Sequence, residues 1–240
     1  MRQFIGRLAL SGGLILSASA AMAEGNCNGW ADLASPETIT LAKVSAAPHA
    51  NFVKNGTEQA GCPAAGASCQ RKGFVVSGDV VIVSSRQNGF ACAQYVDARG
   101  LETTGWLPAS ALTEEPAAAP ASLNDWAGEW SGNPEQSISV KAGKGARMVV
   151  LHGDATYGAL DPARVKRGAV NIGAFDANVR LDGNLVAFAI GDGGKTLPYD
   201  KGEEFACKIR MVRLGPFLMV EDNRQCGGNN VSFAGDYRRK

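Results

Sequence analysis

Six cysteines are the residues of this sequence whose type and spacing most clearly indicate chemistry. They stand at positions 27, 62, 69, 92, 207 and 226. Zinc sites typically use Cys or His pairs separated by about two to four residues. Cys62 and Cys69 form the closest pair, with six residues between them and no neighbouring His. Disulfides therefore account for the cysteines better than a metal does, provided that the chain reaches an oxidising compartment.

The first 23 residues indicate that the chain is exported to an oxidising compartment. Arg2 and Arg7 supply positive charge, residues 8–16 are largely apolar, and residues 21–23 form a small-x-small cleavage site. This is the pattern of a secretory signal peptide. A membrane anchor needs about 20 continuous apolar residues, which neither this segment nor any later one reaches. We expect a mature periplasmic or secreted protein without a transmembrane segment.

The cysteines divide into four early and two late ones, which predicts how some of them pair. Cys207 and Cys226 flank a turn at residues 214–216 and should bond to each other. The four early cysteines allow three connectivities. We favour Cys62–Cys69, which closes a short loop, and Cys27–Cys92, which ties the N-terminal segment to a strand, but the sequence leaves this choice open.

Catalytic motifs are missing from the sequence. The two histidines are His49 and His152, and the motifs of serine hydrolases, phosphate loops and zinc proteases do not occur. His152 and Asp154 could share a face of a strand, although an exposed polar turn is the commoner explanation. The adjacent acids Glu203-Glu204 and Glu221-Asp222 would diverge on strands and are typical of solvated turns. We predict no catalytic residues.

Cofactor and metal sites are not indicated either. Residues 192–194 with Asp200 lack the alternating oxygen ligands and the terminal Glu of a calcium loop. We predict no metal and no cofactor.

Overall charge excludes some partners. Twenty-four Lys and Arg face 23 Asp and Glu, so bulk electrostatics does not favour nucleic acid or an anionic membrane. Basic residues do cluster locally, and aromatics are not interleaved with them. The clusters lie at residues 164–167, 208–213 and 238–240. Such clusters are typical of solvated faces. For residues 208–213 the alternative is a patch that binds an acidic glycan or protein.

Short apolar runs separated by Gly-rich turns predict strands throughout the mature chain. In the first half they cover residues 72–76, 80–83, 90–96 and 103–108, and Asn88-Gly89 predicts a two-residue hairpin. A Pro- and Ala-rich segment at residues 113–122 predicts a semi-extended linker. We therefore expect a first domain over residues 24–112 and a second over residues 123–240.

Residues 72–112 resemble a bacterial SH3-like (SH3b) domain. The similarity rests on Gly78-Asp79 before a β-branched strand, the hairpin into Phe90, and Gly105-Trp106-Leu107 followed by Pro108. Members of that family are small noncatalytic barrels that bind cell-wall peptides or other proteins. The resemblance implies that Tyr95 and Trp106 are ligand-binding groove aromatics, with core packing as the alternative for both rings.

The second half predicts eight or nine antiparallel strands in a barrel or a compact sandwich. Gly128-x-Trp130, with Arg238 or Arg239 after the last apolar strand, resembles lipocalin-like barrels, in which a basic side chain covers a Trp on the first strand. A barrel of this size either holds a small ligand or is filled by side chains, and the sequence does not decide between them. The predicted fold class is all-β: an SH3-like barrel followed by a disulfide-bonded barrel or sandwich.

These observations predict an exported, noncatalytic binding protein that engages cell-envelope peptides or a partner protein. Two alternatives stay open. The first is an inhibitor of a cell-wall hydrolase such as lysozyme, which suits a compact disulfide-bonded envelope protein. The second is a secreted hydrolase that uses carboxylates of the second domain, since paired carboxyl groups can perform acid–base chemistry.

Overall fold

A computed structural model describes residues 26–29, 31–117 and 119–240. The predicted signal peptide, residues 1–23, lies outside these ranges. The protein is all-β, as predicted, and consists of a curled seven-stranded sheet followed by a nearly closed nine-stranded barrel. Every strand pair within both sheets is antiparallel.

The first sheet has the strand order β3-β2-β6-β5-β4-β1-β7. The hairpin predicted at Asn88-Gly89 is confirmed: the two residues join β4 to β5 and both have positive φ, 51° and 80°, as such a tight turn requires. Strand β7 pairs with β1 and includes the first two residues of the predicted linker. The strands are β1 (Thr40–Val44), β2 (His49–Val53), β3 (Gln70–Val76), β4 (Val80–Gln87), β5 (Phe90–Val96), β6 (Glu102–Pro108) and β7 (Leu112–Glu114).

The barrel has the strand order β11-β10-β9-β8-β16-β15-β14-β12-β13. Its edges approach each other where the Asn178 backbone N–H donates to Thr196 Oγ1 at 3.0 Å. The strands are β8 (Gly128–Ser131), β9 (Gln136–Ala142), β10 (Met148–Tyr157), β11 (Asn171–Arg180), β12 (Leu185–Ile190), β13 (Thr196–Pro198), β14 (Cys207–Leu214), β15 (Phe217–Asp222) and β16 (Gly235–Arg239).

Helices are short in this protein and serve as connections. Helix α1 (Leu123–Trp126) begins with a capping box in which Ser122 and Asp125 satisfy each other's backbone N–H groups. Helix α2 (Pro162–Lys166) lies between β10 and β11. Five 3-10 helices complete the described chain: Pro36–Thr38, Ala67–Cys69, Ala109–Ala111, Asp192–Gly194 and Tyr199–Lys201.

All three predicted disulfides are confirmed, and no cysteine is free. Cys207 bonds to Cys226 within the barrel unit. The favoured pairing of the four early cysteines is also present, as Cys27–Cys92 and Cys62–Cys69. Such bonds are typical of proteins that fold in an oxidising compartment.

The barrel interior is filled by side chains, which answers the question that the sequence left open. Phe175 packs against Phe188 and Phe233, with ring centroids 5.7 and 4.8 Å away. Gly153 makes room for this cluster, because a Cβ there would lie 2.1 Å from the Phe175 ring. Trp126 of α1 is fully buried beneath one end of the barrel and donates to the Gly183 carbonyl.

Trp130, on the first strand of the barrel, is covered by basic side chains. The Arg239 guanidinium lies over its ring at 5.0 Å, and Arg213 lies over it at 4.7 Å. The Trp130 indole N–H donates to the Trp126 carbonyl at 2.9 Å. Two arginines and α1 therefore hold the start of the barrel.

The two sheet units pack on each other through an apolar seam. Alternation along β15 directs Leu218 and Val220 into the barrel and Phe217 and Met219 outward. The outward side chains join one buried cluster with residues of the first unit, and we call this cluster the seam: Leu33, Ile39, Ile82, Val96, Val212, Phe217 and Met219.

Polar and backbone contacts hold the same interface. The Arg238 guanidinium donates twice to the Val96 carbonyl, at 3.1 and 2.7 Å, and lies over the Phe217 ring. Gly100, with φ of 78°, approaches the second unit so closely that a Cβ would lie 1.9 Å from the Gly132 carbonyl oxygen. Only glycine fits both the conformation and the contact.

Replacing Gly100 tests this close approach. Gly89 has a similar φ, 80°, but open space around it, so Gly89→Ala should cost only the backbone strain, about 1–2 kcal/mol of unfolding free energy. Gly100→Ala adds an overlap with backbone and should cost about 2 kcal/mol more. Denaturant unfolding of both variants measures the difference. Equal losses would show that the two units do not meet at Gly100.

Candidate functional site

A cleft of about 470 Å³ lies beside the seam, between the two units. Its walls come from the N-terminal segment, β5, β6, β15, β16 and the connection between the last two strands. Five carboxyl groups and one guanidinium line it, so its lining is strongly acidic; the charged residues are Asp32, Glu102, Glu221, Asp222, Arg224 and Asp236.

Strand alternation explains how the carboxyl groups come to face the cleft. On β16, Tyr237 points into the barrel core, so its neighbour Asp236 points outward, toward the first unit. On β15, Glu221 follows Phe217 and Met219 on the outward face. Asp236 also pairs in register with Met219. The acidic cleft thus continues the surface that forms the apolar seam.

Asp236 is the most unusual of these residues. It is 4% exposed, although acidic side chains are seldom buried in this way. Burial, reinforced by the nearby Glu102 carboxylate, raises the pKa of Asp236 from 3.8 to about 8. At neutral pH this acid therefore keeps its proton, with the Glu102 side chain beside it.

Glu102 connects the two units at this point. Its Oε1 accepts from the Asp236 backbone N–H at 3.0 Å, although it belongs to β6 and Asp236 to β16. Gln94 and Thr104, which are paired across β5 and β6, line the same wall. Gln94 is one of the few buried polar side chains, so the first unit contributes a polar wall opposite the barrel.

The connection between β15 and β16 shapes the far side of the cleft. Asp222 accepts from the Ser232 hydroxyl at 2.9 Å and from the Phe233 backbone N–H at 2.8 Å, which fixes the chain before Asp236. Glu221 is held differently: its Oε2 is buried, has no hydrogen-bond partner among the residues that the structure describes, and lies 3.9 Å from Arg210 Nη1. Glu221 thus retains unused acceptor capacity at the cleft.

The predicted groove aromatics lie elsewhere. The structure corrects the assignment of Trp106 as a ligand-binding residue: its side chain is 1% exposed and packs with Phe90 among the two disulfides of the first unit. A ring in that position contacts a ligand only if the core opens. Tyr95 is half-buried and borders a separate depression that Asp79 and Arg238 also line. A ligand contact by Tyr95 stays a prediction.

His152 and Asp154 do share the outer face of a strand. His152 Nε2 lies 2.9 Å from Asp154 Oδ2, and Nδ1 lies 2.8 Å from Asp176 Oδ1 on the paired strand β11. The hydrogen bond to Asp176 and the charge of both acids raise the pKa of His152. Sequence spacing could not find Asp176, because β-pairing brings it in across 24 positions. This exposed cluster is separate from the cleft residues.

The cleft could not be predicted from the sequence, because its parts are far apart in the chain. In the sequence, Glu221-Asp222 is typical of a solvated turn, and no motif marks Asp236 or Glu102. One signal was present. Asp236 directly precedes Tyr237 within a strand, and an acid between core positions of a strand faces either solvent or another part of the protein.

No protein-family model, curated protein or solved structure matches this chain. Among the described residues, no helix is long and apolar enough to cross a membrane. Within the same ranges, no three His, Cys, Asp or Glu side chains are grouped so that they could hold a metal ion.

Replacing Asp236 by the neutral isostere Asn tests the raised pKa. Between pH 3.8 and about 8 the folded state keeps a proton that the unfolded chain has released, so the wild-type free energy of unfolding falls as pH rises through this window. At 1.36 kcal/mol per pKa unit the loss is at most about 6 kcal/mol. The stability of Asp236→Asn relative to wild type should therefore increase from pH 4 to pH 9.

Chemical denaturation of both proteins across that range measures the effect. Titrations of groups that do not interact with Asp236 occur in both chains and cancel in the difference. A difference in unfolding free energy that does not change with pH would mean that Asp236 titrates as an ordinary exposed carboxyl group.

Proposed function

We propose that this protein is an exported, noncatalytic binding protein whose cleft accepts a cationic group. The ligand would be a Lys or Arg side chain, or an amine, of a cell-envelope peptide or a partner protein. The observation that carries the proposal is the buried Asp236 carboxyl group, lining a cleft that holds four further carboxyl groups and one guanidinium.

Physical chemistry favours a cation over other ligands. A bound ammonium or guanidinium would donate to the carboxyl groups that line the cleft, of which Glu221 Oε2 has no hydrogen-bond partner among the described residues. It would also offset the repulsion between neighbouring acids, and charge-assisted hydrogen bonds are the stronger ones. An anionic ligand would meet the same acids and gain only Arg224. Gln94 and Thr104 offer neutral polar groups for a peptide backbone.

Export supports the cell envelope as the place of action. Three disulfides are present in the folded chain, and the first 23 residues have the pattern of a secretory signal. The SH3-like resemblance of the first unit points to the same class of ligand. Together these features favour a periplasmic or secreted protein that binds an envelope component.

Calorimetric titration with a short Lys-rich peptide and its Glu-rich counterpart tests the proposal. The Lys-rich peptide should bind and the Glu-rich one should not. In the double variant Glu102→Gln/Glu221→Gln affinity should fall by about tenfold or more, because each Gln keeps an acceptor oxygen but loses the charge. The effect should shrink as salt increases.

A second double variant provides the matched control. Glu203→Gln/Glu204→Gln removes the same two charges from an exposed connection outside the cleft, and its affinity should stay close to that of the wild type. If both double variants weaken binding equally, the peptide is attracted by overall charge. That result, or binding of the Glu-rich peptide, would refute a cation site in the cleft.

A secreted hydrolase is the second candidate function. An acid of raised pKa beside a second carboxyl group, as Asp236 is beside Glu102, is an arrangement that general acid–base catalysis uses. Turnover of purified cell-wall glycan or peptide that disappears in Asp236→Asn would favour the hydrolase, and binding without turnover would favour the binding protein. Inhibition of a cell-wall hydrolase such as lysozyme is a special case of partner binding. The direct test is an assay of lysozyme activity with this protein added.

A further inference from the structure

A second exposed feature lies at the end of the longest hairpin of the barrel. Strands β10 and β11 each have ten residues and pair along their whole length, from Met148–Arg180 to Tyr157–Asn171. The connection between them carries helix α2. We call residues 157–172, which comprise this connection and the two strand ends, the hairpin tip.

The hairpin tip exposes large apolar side chains. Leu160 is 63% exposed, Val165 53% and Ile172 71%, and Tyr157 is also exposed. The first two lie in the connection itself, and Ile172 stands on the outer face of β11, opposite Thr156. Strand alternation places Ile172 and Tyr157 on opposite faces of the hairpin, so exposed apolar side chains lie on both faces of the tip.

Positive charge accompanies this apolar surface. Arg164, Lys166 and Arg167 lie within and directly after α2, and the last two are exposed. Arg164 is held over the Tyr157 ring at 4.7 Å. The balanced charge of the whole chain hides this local excess.

Two acids near the hairpin tip accept hydrogen bonds from backbone N–H groups, and Asp154 and Asp176 on the same hairpin pair with His152. Asp161 caps α2 by accepting from the Ala163 and Arg164 N–H groups. Glu135 accepts from the Ala159 N–H at 2.6 Å. The connection between β12 and β14, at the same end of the barrel, contains four acids and two lysines. Within residues 157–172, three cations face one acid, so the hairpin tip itself carries a net positive charge.

We propose that the hairpin tip docks on an anionic lipid bilayer. Leucine, valine and isoleucine side chains would enter the boundary between headgroups and acyl chains, while the basic side chains remain at the level of the lipid phosphates. The combination of basic and apolar side chains favours a lipid bilayer over other partners. Basic residues alone would fit any acidic molecule, and exposed apolar residues alone would fit any apolar groove, whereas a bilayer with anionic headgroups offers both chemistries in adjacent layers.

Co-sedimentation with lipid vesicles tests the proposal. The disulfide-bonded protein should sediment with vesicles of equal parts phosphatidylglycerol and phosphatidylcholine, and not with pure phosphatidylcholine. Two triple variants should each bind the mixed vesicles at least about tenfold more weakly. One removes the apolar side chains (Leu160→Ser, Val165→Ser, Ile172→Ser), and the other removes the charges (Arg164→Gln, Lys166→Gln, Arg167→Gln).

The matched control removes three cations from the opposite end of the barrel: Lys141→Gln, Lys144→Gln and Arg147→Gln. All three are exposed around the turn between β9 and β10. This variant should bind like the wild type, and unchanged melting temperatures should show that all variants fold. No sedimentation with either vesicle would overturn the proposal and favour a protein partner for the hairpin tip. Equal losses in the control and the charge variant would overturn it as well.

Discussion

The apolar seam between the two sheet units is the interaction on which the rest of the structure depends. Without it, the outward faces of β14 and β15 would expose Val212, Phe217 and Met219 to water. Complete burial of a side chain of this size contributes about 1.5–3 kcal/mol. Seven seam residues therefore contribute on the order of 10 kcal/mol, and part of this burial arises within each unit.

The seam also creates the chemistry of the cleft. Asp236 lies on the same outward face as the seam residues, and the first unit removes it from water. The cost of burying this acid, at most about 6 kcal/mol when it must ionise, is smaller than the gain from the seam. The fold can therefore keep an acid of raised pKa beside Glu102. A bound cation would lower that cost, which links ligand binding to the packing of the two units.

Local features of the fold could be predicted from the sequence, and features that depend on distant residues could not. Asn88-Gly89 specified its hairpin because only a tight turn suits that pair, and Cys207 and Cys226 could be paired because a single turn separates them. Trp106 shows the limit of local reasoning. Its place before Pro108 suggested the rim of a sheet, but the two disulfides of the first unit enclose the ring.

The cleft, which is the candidate functional site, could not be predicted from local sequence either. Glu102 and Asp236 meet although 134 positions separate them, and nothing in the spacing of either residue indicates the other. Sequence composition gave a net charge near zero, but the fold collects acids in the cleft and bases at the hairpin tip. The cleft is acidic and the hairpin tip is basic. The charged residues of neither surface belong to a sequence motif that indicates a site.

The pKa of the Asp236 carboxyl group, measured by NMR from the pH dependence of its carboxyl carbon shift, tests the central claim most directly. Asp236→Asn identifies the resonance by its disappearance. If the seam holds the two units together in solution, the carboxyl group should titrate near pH 8. Titration near pH 4 would mean that water reaches Asp236, that the units separate at the seam, and that the cleft does not exist as described.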